Sequence, residues 1–249
     1  MVILFSKPEN WMELPMFKKI HYYGTQLTKE YSEYVDKLQA KHKVKEICGD
    51  DIQVAKVVRV LQSYNDLTED DLDTAYIIKS SHGSGWNIYN DVDISLDVAI
   101  KKLKGWNHKY NSSIEKQYSF IEPKFFIEEK IYDSILGYTG NACVYMFRCI
   151  NSNPISIGVK HKKTQNSYDI EWNLTQTPKI PFAIPKPKCL SKLLNLCKVL
   201  SSNFEFVRLD FYIGKNDVIY FSEFTFTPAG GYQVFNLETE IKQGLMWPK

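Results

Sequence analysis

Four residues near the C-terminal end, Arg208, Asp210, Glu223 and Thr225, have the types and spacing to hold a hydrated divalent cation and phosphate oxygens. They lie in the stretch FVRLDFYIGKNDVIYFSEFTFTP, residues 206–228. Arg208, Asp210 and Tyr212 alternate with Val207, Leu209 and Phe211, the period of a strand with one buried face. Gly214-Lys215-Asn216-Asp217 is a polar turn, and Val218 to Thr227 reads as the returning strand. With the turn centred on Lys215-Asn216, Arg208 pairs with Glu223 and Asp210 with Phe221. The four polar residues then share one face, with Asp210 diagonal to Glu223. Two carboxylates beside an arginine on a rigid sheet suit a metal that carries phosphates. The plain alternative is a cross-strand salt bridge on a solvated sheet, worth under about 1 kcal/mol.

A second group precedes it. Lys79 ends the apolar run AYIIK and is followed by Ser80-Ser81-His82-Gly83-Ser84-Gly85. Small residues let backbone N–H groups approach phosphate oxygens, and the lysine adds a point charge. The lysine comes before the glycines, so this is no P-loop, and a glycine-rich hairpin turn is the plain alternative. KFFIEEKIY, residues 124–132, carries Glu128 and Glu129 in a strand whose backbone could meet an adenine edge; an edge strand with solvated acids is the other reading. Lys160-His161-Lys162-Lys163 is either a solvated basic loop or a contact for an anionic substrate. The histidines show no metal spacing, and no Ser-His-Asp or Cys-His order supports nucleophilic hydrolysis.

The elements that must position these groups follow from periodicity. Residues 26–48 read as helical, with Leu27, Tyr31, Tyr34, Val35, Leu38 and Val44 on one stripe, and Gly49-Asp50-Asp51 ending it. Residues 1–25 show no clear period, and 52–64 fit a strand or a short helix equally. Strands are expected at 75–79, 86–89, 124–132, 142–150 and 155–160, and helices at 96–110 and 189–201. Pro178, Pro181, Pro185 and Pro187 make 164–188 a long loop, and the tail from Ala229 reads as irregular. Antiparallel strands in pairs, interrupted by single helices, give an α+β fold rather than a doubly wound sheet.

Composition narrows the function classes. The 249 residues are enough for one large domain or two interlocked ones. The net charge of +2 argues against a dedicated nucleic-acid binder. Five cysteines with no Cys-x-x-Cys signal neither a zinc site nor a disulfide framework, and point to a reducing cytoplasm. The opening MVILFSKPENW has an apolar run too short for a signal peptide, and no stretch is long enough to span a bilayer.

Taken in order, these segments resemble the ATP-grasp superfamily: a lysine strand with a glycine-rich loop, a glutamate-bearing hinge strand, an Arg-x-Asp strand and a Glu-x-polar strand. The closest resemblance is to its TupA-like subgroup, associated with polysaccharide biosynthesis. It rests on IIKSSHGSGWNI (77–88), FFIEEKI (125–131), the tryptophan of DIEWN (169–173) and residues 206–232, and covers roughly residues 30 to 232. The resemblance implies an N-terminal helical segment over 1–50, a small ATP-grasp subdomain over 51–130 and a large one over 131–249, the two clasping ATP between antiparallel sheets. It implies that Lys79 binds the phosphates, that the loop of Ser81, His82, Gly83, Ser84 and Gly85 closes over them, and that Glu129, Lys130 and Tyr132 lie along the adenine. Asp210, Glu223 and Thr225 would hold Mg²⁺, Arg208 would stabilise the transferring phosphoryl group, and Lys45 would be a second phosphate lysine. Relatives show Asp-Tyr-Lys where this chain has Val144-Tyr145-Met146, so a charged contact is missing there or supplied elsewhere; many carry asparagine at the place of Thr225.

The implied activity is ATP-dependent joining of a small-molecule carboxylate, a uronic or amino acid, to an amine or sugar-linked partner for a surface polysaccharide. A sugar or small-molecule kinase and a non-catalytic nucleotide- or glycan-binding module are the alternatives. The oligomeric state is not legible.

Overall fold

The computed structural model describes residues 6–89, 94–137 and 141–249. Three helices come first: α1 (Met16–Gly24), α2 (Ser32–Val35) and α3 (Lys37–Cys48). α1 falls where no period was legible, because its buried stripe of Met16, Ile20 and Tyr23 is interrupted by a buried lysine, Lys19. The Lys19 ammonium is satisfied by the carbonyls of Gly244 at 2.7 Å and Trp247 at 2.8 Å. The single helix expected over 26–48 is broken at Asp36, which is extended. The Asp36 carboxylate accepts from the N–H groups of Leu38 (2.9 Å) and Gln39 (3.3 Å), an N-cap that restarts the helix as α3.

Residues 52–64 resolve into two strands, β1 (Gln53–Val54) and β2 (Val57–Leu61). β3 (Tyr76–Ser80), β4 (Asn87–Tyr89), α4 (Leu96–Trp106), β5 (Phe125–Glu129), β6 (Val144–Ile150) and β7 (Asn153–His161) follow as expected in type. The long loop expected over 164–188 opens instead with a strand, β8 (Thr164–Tyr168), at the edge of its sheet, and is irregular from Asp169 onward. Next come α5 (Leu190–Leu200), β9 (Phe206–Ile213), β10 (Ile219–Thr225) and, in the tail expected to be irregular, α6 (Leu237–Leu245). The Asn236 side chain caps α6 by accepting from Thr239 N–H at 2.8 Å.

The architecture is α+β with two largely antiparallel sheets. The smaller runs β2-β5-β3-β4; the larger runs β1-β10-β9-β6-β7-β8, with β1 parallel to β10. A small core of Ile78, Ile88, Leu103 and Ile127 backs the first sheet. A larger aromatic core backs the second, and α1 to α3, α5 and the C-terminal Trp247 belong to it. Trp247 is fully buried, edge-on to Trp11 (5.1 Å) and stacked on Phe206 (5.0 Å). Trp247→Ala is expected to cost about 3–5 kcal/mol in urea unfolding. A loss under about 1 kcal/mol would show that the C-terminal segment is not integral to the core.

Candidate active site

The two sheets face each other across a cleft of about 730 Å³. Its floor is the β9–β10 hairpin. Here the register differs from the one expected. Phe211 pairs with Phe221, Asp210 with Glu223 and Arg208 with Thr225. The turn is longer than a centre at Lys215-Asn216 allows, which shifts the pairing by one. That shift alone would put Glu223 on the core face. A β-bulge between Phe221 and Glu223 shifts it by one more, so Phe221 and Phe224 both stay buried while Ser222 and Glu223 line the cleft. Glu223 therefore lies directly opposite Asp210, not diagonal to it.

The structure brings the four residues together. Arg208 Nε and Nη2 donate to the two oxygens of Asp210 at 2.7 and 2.6 Å. Nη2 also reaches Glu223 Oε1 at 3.3 Å and Thr225 Oγ1 at 3.1 Å, and the Thr225 hydroxyl donates to Glu223 at 3.2 Å. Asp210 is 2 % exposed, so this is no solvated surface pair. Burial raises the Asp210 carboxyl, against the pull of Arg208. Burial also opposes the charge on Glu223, but Arg208 and Lys37 outweigh it and hold that carboxyl low.

Lys79 lines the opposite wall from β3. Its ammonium is paired with Glu128 of β5, whose other oxygen takes Lys41 of α3 at 2.9 Å. Burial works against the Lys79 cation, but Glu128 more than restores it. Of the two neighbouring glutamates, the structure thus directs Glu128 to the lysine. Glu129 turns outward to Lys56 at 3.0 Å. The N–H groups of Glu129 and Lys130 are taken by the carbonyls of Lys56 (2.9 Å) and Ala75 (2.7 Å). Lys130 and Ile131 line a side cavity of about 240 Å³, with Ile77, Tyr89, Val144 and Tyr212. The Tyr132 ring lies over Gly137 and lines neither cavity.

The glycine loop divides its labour. Ser84 and Gly85 line the cleft, and Gly85 takes a left-handed φ of +71° that glycine adopts at little cost. Gly83 lies so close to the Trp86 ring that a Cβ would overlap it. Ser81 and His82 are buried beneath. His82 Nδ1 accepts from Lys124 N–H at 3.2 Å and meets Ser80 Oγ at 2.8 Å, which leaves Nε2 to donate to the Trp106 carbonyl at 2.9 Å. Burial pushes its pKa down, as befits a neutral ring that pins the loop to α4.

The structure does not bring Lys45 to the cleft. It is on the far turn of α3, beside Asp50 at 3.5 Å. Lys37, eight residues earlier on the same stripe and about 12 Å along the axis, lines the cleft and donates to the Gly83 carbonyl. Sequence reasoning missed Lys37, Lys41 and the part played by Glu128; the i, i+4, i+8 spacing of the three lysines was the available signal. It also missed Arg148 of β6, which lines the cleft beside Arg208.

A glycine-loop sheet facing a carboxylate-bearing sheet across a nucleotide-sized cleft is the ATP-grasp arrangement. Solved structures resemble the chain in fold. Biotin carboxylase from Campylobacter jejuni matches at a TM-score of 0.51 and 14% identity, over 88% of this chain and 47% of that one. D-alanine–D-alanine ligase from Bacillus anthracis, complexed with ATP, matches at a TM-score of 0.48 and 15% identity, over 85% and 60%. The chain therefore spans roughly half to three fifths of the length of these structures. No curated protein matches it. The family model for TupA-like ATPgrasp matches residues 17–244, and the chain belongs to that family.

The donor set suits the ligands the family implies. Asp210 and Glu223 are adjacent hard-oxygen donors, each with lone pairs that Arg208 leaves free, and Thr225 adds a hydroxyl. No group of three or more His, Cys, Asp or Glu that could hold a metal occurs among the described residues. Two carboxylates with the remaining positions left to phosphate and water is the pattern by which Mg²⁺ binds.

Proposed function

We propose that this protein is an ATP- and Mg²⁺-dependent ligase that joins a carboxylate to an amine, with a uronic or amino acid as the carboxylate and a surface polysaccharide as the destination. The observation that carries this reading is the convergence, across one cleft, of Lys37 and Lys79 with the Arg208–Asp210–Glu223 cluster. Mg²⁺ held by Asp210, Glu223 and Thr225 would neutralise charge on the phosphates. Lys79 and Lys37 would hold phosphate oxygens beneath the Ser84–Gly85 turn. The side cavity between Ile77, Tyr89 and Tyr212 offers apolar walls to a base. Arg208 would stabilise charge on the phosphoryl group as a substrate carboxylate oxygen displaces ADP. An amine nitrogen then attacks the acyl carbon, phosphate leaves, and the nitrogen gives up a proton. The five free thiols accord with a reducing compartment, and no helix among the described residues is long and apolar enough to cross a membrane.

The test is incubation with ATP and Mg²⁺ while uronic and amino acids are screened pairwise with amines for phosphate release. Release that needs both partners supports ligation; a phosphorylated product with no amine required makes the protein a kinase; nucleotide stabilisation without turnover makes it a binding module. The lysine assignment has its own check. Lys37→Ala should raise the KM for ATP about 10- to 100-fold, the size of a charged hydrogen bond, while Lys45→Ala stays within twofold. Equal effects would return Lys45 to the site.

A further inference from the structure

The larger sheet presents two adjacent rows of side chains to the cleft. One runs Gly158, Met146, Asp210, Glu223; the next runs Ser156, Arg148, Arg208, Thr225. Two residues separate the rows along each strand, about 6.6 Å. The first row carries the carboxylates. The second is made wholly of hydrogen-bond donors, two of them guanidinium groups.

These two arginines differ in their neutralisation. Arg208 is bonded to both Asp210 and Glu223. Arg148 is 7 % exposed and forms an ion pair with no carboxylate among the described residues. Its Nη1 donates to the neutral Gln243 Oε1 at 2.7 Å, and its Cζ lies 4.6 Å from the Phe235 ring centroid. Glu240, the acid that acts on it through space, is itself committed to the N–H groups of Phe17, Val234 and Phe235 at 3.0–3.2 Å. Burial and Arg208 push the Arg148 pKa down to about 10, despite Glu240. A buried cation with only a neutral acceptor is costly unless an anion arrives to meet it. A strut between β6 and α6 would need only a neutral donor at this place. On the same face of β6, Val144 and Met146 are apolar, so Arg148 brings the only charge that strand offers to the cleft among its described residues.

We infer that Arg148 is the anion-recognition residue of this cleft, and that it receives a carboxylate of the substrate that is not the nucleotide, one row from the Asp210–Glu223 pair. This deepens the ligase reading and rests on it for the identity of the cleft. The planar fork suits bidentate capture of a carboxylate, and the Ser156 hydroxyl flanks it.

The test uses malonate as a small dicarboxylate probe on metal-free, nucleotide-free protein at constant ionic strength, with malonamide as its neutral control. Malonate should raise the Tm of the unaltered protein by about 3–6 °C at ten times its Kd, and malonamide should not. Arg148→Gln should abolish the malonate shift and Arg148→Lys should retain part of it, with the Tm shift from ATP and Mg²⁺ unchanged in both. No malonate shift in the unaltered protein, or a shift undiminished in Arg148→Gln, overturns the inference. Should Arg148→Gln fail to fold, a full-strength malonate response in Arg148→Lys overturns it instead. The ligase reading fails separately, if no carboxylate promotes ADP release.

Discussion

Asp210→Asn should lower Mg²⁺-dependent ATP turnover by at least about 10³-fold, the upper range for loss of one preorganised electrostatic contact in a dry site. The asparagine keeps an oxygen toward Arg208 but removes the charge that a divalent cation requires. Two consequences can be separated. Arg208 loses its charged bidentate partner at 2.6 and 2.7 Å but keeps Glu223 and Thr225. The folded state should therefore weaken by only about 1–3 kcal/mol, seen as a modest fall in Tm. Turnover, measured as ADP release, should fall far beyond what that loss explains. Retained ATP-dependent amide formation by Asp210→Asn would remove the metal assignment altogether.

Replacing Lys79 by methionine should damage both stability and turnover, and a second substitution should separate them. Lys79 and Lys41 share the carboxylate of Glu128, which is 2 % exposed. Lys79→Met leaves Glu128 paired with Lys41, so it should cost only about 1–3 kcal/mol, the loss of one charge-assisted hydrogen bond. For a chain of this size that lowers Tm by about 2–12 °C. Adding Glu128→Gln takes the carboxylate from Lys41 and leaves a buried cation facing a neutral acceptor. The double variant should therefore be less stable than Lys79→Met by about 3–5 kcal/mol. ADP release should be at least about 10²-fold down in both, because β3 no longer offers a cation to the phosphates. Turnover near the starting level in Lys79→Met would show that Glu128 is the only group that lysine serves. A double variant as stable as Lys79→Met would instead show that Lys41 does not depend on Glu128.

Much of the site was legible from local pattern. A two-residue period places Arg208, Asp210 and Tyr212 on one face of a strand whatever its partner. A lysine at the end of an apolar strand, followed at once by small residues, marks a phosphate-type loop in the same local way. The resemblance joined these segments into one family, and the family match over residues 17–244 bears that out. α1 and α6 were not legible, because a buried lysine interrupts one apolar stripe and exposed Leu237, Ile241 and Leu245 blur the other.

Local pattern establishes which side chains share a face and what charges they carry. Tertiary structure alone decided which of them meet. The bulge at Ser222 sets Glu223 directly opposite Asp210, since a longer turn and an extra residue shift the strand by two positions and so preserve its face. Pairing with β3 decided that Glu128 and not Glu129 faces Lys79, because Phe126 stands opposite Lys79 and Glu128 shares its face of β5. Position along α3 selected Lys37 over Lys45, since the helix carries the later residue away from the cleft. Arg148 reads in sequence as one basic residue in an apolar strand; enclosure without a carboxylate partner is a property of the surrounding walls, and only their packing reveals it.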